Sequence, residues 1–106
     1  MSAASHMVEF SREGNTLAVR GTLGINENDA FYEALAELLK AGHKEVVLDL
    51  TGVEYMSSTC IGSIAALMTR ARQRKMPVTV LTLRRIAHFL NIAGLTVLGD
   101  VKIVDE

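Results

Sequence analysis

The sequence predicts an α/β fold: one domain built on a mixed β-sheet of four to five strands with three helices. Three observations lead there. The first strand patterns flank a Gly14-Asn15 turn, the apolar period then switches between strand and helix down the chain, and 106 residues suffice for one compact core but not two. About half of the residues (49%) are apolar and the net charge is -1, so no basic field exists for a phosphate backbone and nucleic acid is not an expected partner. No apolar run approaches the roughly 20 residues that span a bilayer, so direct membrane insertion is not expected. The lone Cys60 cannot form an internal disulfide, which fits a reducing, cytoplasmic setting. Residues 1–7, Met-Ser-Ala-Ala-Ser-His-Met, read as the remnant of an expression tag, leaving 8–106 as the domain.

The elements follow in order. Residues 8–10 and 16–20 read as a hairpin around Gly14-Asn15, with Gly21 closing its second strand. Phe31, Leu35, Leu38 and Leu39 then fall at helical spacing, capped by Asn26 or Asn28 and ended by Gly42. The run Val46-Val47-Leu48-Asp49-Leu50 suits a central strand covered on both faces, and residues 51–56 follow as a loop turning at Gly52. A second helix starts near Ser57 or Ser58, because Ile61, Ile64, Ala65, Met68 and Ala71 keep a 3.6-residue spacing. Its last turns carry Arg70, Arg72, Arg74 and Lys75, cations that complement the negative end of the helix dipole. Pro77 stops it, residues 78–82 form the next strand, residues 83–93 a third helix ending at Gly94, and residues 97–104 a last strand broken at Gly99-Asp100.

Catalytic constellations are thin. Neither His43 nor His88 has a Cys, Asp or Glu near it at metal-ligand spacing, so both are read as surface or packing residues and no metal or cofactor is expected. Cys60, near a helix start, is read as a small buried hydrophobe rather than a nucleophile. The informative feature is Ser57-Ser58-Thr59 at the entrance to the second helix. One hydroxyl suffices for the cap. The same place, facing unpaired N–H groups and the positive dipole end, receives a phosphate well.

At these residues the sequence resembles the STAS family, specifically bacterial anti-sigma factor antagonists. Val46-Val-Leu-Asp-Leu-Thr-Gly-Val-Glu-Tyr-Met-Ser-Ser-Thr-Cys-Ile-Gly62 is similar, without a gap, to the family's apolar strand, Asp-Leu-Ser-Gly-Val, aromatic and Asp-Ser-Ser-Gly-Leu-Gly. His88-Phe-Leu-Asn-Ile-Ala-Gly-Leu95 resembles its third helix and the following loop. The resemblance implies a binding module rather than an enzyme. In that cycle the unmodified domain binds an anti-sigma factor that is also a serine kinase, phosphorylation ends the binding, and a phosphatase restores it. The implied acceptor is Ser58, with Thr59 second and Ser57 third, and Asp49 as the residue that orients the loop. The implied partner surface takes in Gly21, Gly24, Gly52, Ser57, Ser58, Thr59 and Gly62. The sequence departs from the family pattern at Ser57 (Asp), Cys60 (Gly) and Gly24 (often acidic), and it ends at Glu106 where the family usually continues into a final helix. STAS domains also serve as unphosphorylated scaffolds in stress-sensing assemblies or lipid-transport ABC systems. A response-regulator receiver is the more distant alternative, since its acidic pair after the first strand and its late Lys are not in place.

Overall fold

A computed structural model describes residues 8–104. The expected tag remnant at 1–7 lies outside them. In chain order the elements are β1 (Val8–Glu13), β2 (Thr16–Leu23), a 3-10 turn (Ile25–Glu27), α1 (Asn28–Lys40), β3 (Val46–Met56), α2 (Ser58–Gln73), β4 (Val78–Thr82), α3 (Arg84–Ile92), α4 (Leu95–Leu98) and β5 (Asp100–Ile103). One five-stranded sheet runs β1-β2-β3-β4-β5, with β1 antiparallel to β2 and the other pairs parallel. The architecture is therefore the mixed α/β sheet expected, with one short helix more than the sequence indicated.

Sequential strand order decides where the helices go. Parallel crossovers follow a right-handed rule, under which strands added always in the same direction place every connecting helix on the same face of the sheet. Burial agrees: Val46, Leu48 and Leu50 of β3 are buried while Val47 and Asp49 between them are only half covered, and β4 alternates likewise. The expectation that β3 is covered on both faces is thus corrected. Its unbroken apolar run comes from Val47, which lies on the open face, and one face alone forms the core with Phe31, Leu35, Leu38, Ile64, Met68 and Leu90.

Three further local readings change. β2 does not close at Gly21, which has φ +103° inside the strand, but runs on to Leu23 with register irregularities on the way. β3 does not turn into a loop at Gly52 but continues to Met56, its later half paired with β2 alone, because pairing with β4 stops at Asp49 opposite Leu81. Val97 and Leu98 belong to α4, so the last strand begins only at Asp100. Neither Asn26 nor Asn28 caps α1. Its cap is Glu27 without a side-chain bond, while the Asn28 Oδ1 accepts a 2.6 Å hydrogen bond from the Ser63 hydroxyl and ties α1 to α2. Gly42 follows the end of α1 with φ +80°, the left-handed geometry that glycine supplies at low cost.

Candidate functional site

Ser57 leaves β3 in extended conformation and is the N-cap of α2. Its Oγ accepts from the Cys60 N–H at 3.2 Å, its carbonyl accepts from the Ile61 N–H at 3.1 Å, and its own N–H donates to the Leu23 carbonyl at 2.8 Å. With every polar group engaged it is 9% exposed. Ser58 and Thr59, the first two helical residues, are exposed, and among the described residues neither hydroxyl has a hydrogen-bond partner. Their backbone N–H groups are the donors that a helix start leaves unpaired, so a phosphate on Ser58 would meet fixed dipoles of opposite sign.

The glycines of the implied surface behave differently from one another. Gly24 donates its N–H to the Glu27 Oε1 at 2.9 Å, and an added Cβ would lie 2.8 Å from that oxygen. A Cβ on Gly52 would lie 2.8 Å from the Arg20 Cγ and 3.3 Å from the Arg20 Cα, so the role of Gly52 is close strand approach rather than a turn. Gly62 is exposed, with open space around it. Asp49 accepts from the Thr51 N–H at 3.0 Å and the Thr51 hydroxyl at 2.7 Å; its bonds close within β3, on the open face, rather than on residues 52–58.

Cys60 is buried, and its thiol donates to the Gly24 carbonyl at 3.5 Å, joining the turn after β2 to the first turn of α2. Burial pushes its pKa up, opposed by the hydrogen bond with Ser57 and reinforced by the nearby Glu27 carboxylate. Its side chain is thus spent on packing and on the Gly24 carbonyl. Two residues the sequence did not single out complete the rim: Tyr55, 56% exposed and opposite Thr22, and Ile25, 68% exposed beside Gly24. Exposure at the end of a paired strand depends on where the sheet stops, a non-local fact; Tyr55 stood two positions before Ser57 in the sequence, whereas Ile25 is brought to the site only by the fold.

Other candidates resolve into structure. Arg70 lies over the Tyr32 ring at 5.9 Å, Arg72 donates to the Val97 carbonyl at 3.1 Å, and Arg74 donates to the Leu39 carbonyl at 3.5 Å, so these cations tie the end of α2 to its neighbours. His88 is exposed and packs edge-on against Phe89, and His43 is half-buried in the loop before β3. Among the described residues no group of His, Cys, Asp or Glu is placed to hold a metal ion, and no helix is long and apolar enough to cross a membrane.

With this geometry in place, a family model described as "Mlab, STAS domain" matches residues 6–104. The chain belongs to the STAS domain family. The fold is that of solved anti-sigma factor antagonists. One, from Mycobacterium paratuberculosis, superposes with a TM-score of 0.74 at 15% identity, over 92% of this chain and 85% of that one. Another is the anti-sigma factor antagonist SpoIIAA in its unphosphorylated form, with a TM-score of 0.68 at 11% identity over 92% of this chain and 88% of that one. No curated protein matches the sequence.

Proposed function

We propose that this STAS domain is a bacterial, cytoplasmic anti-sigma factor antagonist that regulates transcription by binding, not by catalysis. It docks on an anti-sigma factor serine kinase through the surface around Ser58, is released when that kinase phosphorylates Ser58, and is reset by a phosphatase. The observation that carries this reading is the division of labour at the start of α2, where Ser57 is consumed as the cap and Ser58 and Thr59 stand open to a partner. A phosphoryl group adds about -1.5 to -2 charges at neutral pH. It would arrive beside two exposed side chains of the rim, Tyr55 and Ile25, whose docking on an apolar partner surface it would oppose. Ser57 in place of the family Asp keeps the cap, since the two residues cap about equally well.

Intact-mass measurement after incubation with the cognate kinase and ATP tests the switch. Addition of one phosphoryl group to the wild type and none to Ser58→Ala is the expected result; an unmodified wild type removes it. The scaffold reading, in a stress-sensing assembly or a lipid-transport ABC system, is favoured by one feature, a neutral and buried Ser57 where a kinase would meet an acid. A pull-down from the native host separates the two, since a sigma-factor kinase and a transporter ATPase are readily distinguished.

A further inference from the structure

We propose that β5 is a self-complementary edge through which two copies of this chain pair antiparallel about a two-fold axis, joining their sheets. Among the described residues β5 is the last strand of the sheet order, so one side of it faces β4 and the other faces no strand. The Val104 N–H donates to the Thr82 carbonyl at 2.8 Å, which sets the phase: the backbone groups of Asp100, Lys102 and Val104 turn toward β4, and those of Val101 and Ile103 turn outward. An unpaired row of this kind is a template for another strand.

The side chains select the partner. With Val101 on the axis, the two copies of Val101 form a hydrogen-bonded pair that exchanges both N–H···O bonds. Asp100 then faces Lys102 of the second copy, and Lys102 faces Asp100, in the closer non-hydrogen-bonded positions where cross-strand charges act most strongly. Ile103 comes opposite Gly99, which has no side chain to obstruct it, and the Ile103 N–H meets the Gly99 carbonyl. The Gly99 N–H is already used by the Leu95 carbonyl at 3.2 Å. Within one copy Asp100 and Lys102 form only a loose pair at 3.8 Å with side chains 63% and 62% exposed, so both are available. A lone lysine would guard such an edge. Paired with Asp100 two residues away, Lys102 becomes half of a match that only an antiparallel second copy satisfies, while Ile103, 46% exposed, gains cover. An interface built on one patch meeting itself is closed, so it stops at a dimer.

Light scattering coupled to size exclusion tests this. The wild type is expected as a dimer at low salt that weakens as salt rises, because the ion pairs are solvent-exposed. Asp100→Lys and Lys102→Asp each place like charges face to face and are expected as monomers, and an equimolar mixture of the two is expected to recover the dimer. Ile103→Pro removes only an outward N–H, so it is expected to keep the circular dichroism of the wild type and run as a monomer. A wild type that stays monomeric, charge variants that dimerise unchanged, or a mixture that fails to recover would overturn the proposal. None of these outcomes bears on Ser58, which lies on α2 away from this edge.

Discussion

A hydroxyl at a helix start can serve the fold or a partner, and its hydrogen bonds say which. Ser57 gives its oxygen to the Cys60 N–H and lies 9% exposed, so removing it leaves a buried donor without a partner. Ser57→Ala should therefore cost about 1 kcal/mol in urea unfolding at unchanged slope, and Ser57→Asp should be close to neutral. Loss of stability in neither variant would mean that the cap is not holding the helix. The letters Ser-Ser-Thr disclosed that capping hydroxyls were present but not which one would be diverted, because the choice depends on where β3 ends. That end is fixed by pairing with β2 across some thirty positions of sequence, as in Leu23 opposite Met56.

Elements legible in the sequence are those whose periodicity is complete in one window. All of Phe31, Leu35, Leu38 and Leu39 are buried along α1, as are Ile64, Met68 and Ala71 along α2. The tail of β3 was not legible, because Thr51-Gly52 looks like a local turn while its strand character comes from a distant partner. Gly52 shows the difference: a Cβ there would press on Arg20, including its backbone, whereas a Cβ on Gly62 meets nothing. Gly52→Ala should destabilise by roughly 1–3 kcal/mol. Gly62→Ala, inside α2, should stabilise by roughly 0.5–1 kcal/mol. Thermal or denaturant unfolding of the pair decides the point, and equal effects would refute it. The extent of β5 and the short α4 were hidden for a related reason, since Val97 and Leu98 suit a strand by composition but lie in a turn of helix.

At the scale of the molecule, the one-sided sheet sets the distribution of stability. Leu48 is fully buried on the helix-covered face and its neighbour Val47 is half covered on the other. Leu48→Ala should cost about 2–5 kcal/mol, and Val47→Ala clearly less, in the same unfolding assay. Comparable losses would mean that both faces are packed alike. The fold class was readable because strand and helix periods alternate in sequence; the bare face was not, because an apolar run in β3 looks the same whether one face or two are covered.

The later half of β3 runs on past the point where its pairing with β4 stops, paired with β2 alone while Leu50, Val53 and Met56 seat it in the core, and leads to Ser58 at its far end. That arrangement is a ledge, anchored in the core on one face and lacking a strand neighbour along one edge. A partner docking as proposed above would meet two exposed hydroxyls at the outer start of a helix, and would itself supply the concave half of the encounter. Discrimination between one client and another would then be inscribed mainly in the receptor's cleft, with this chain contributing the key.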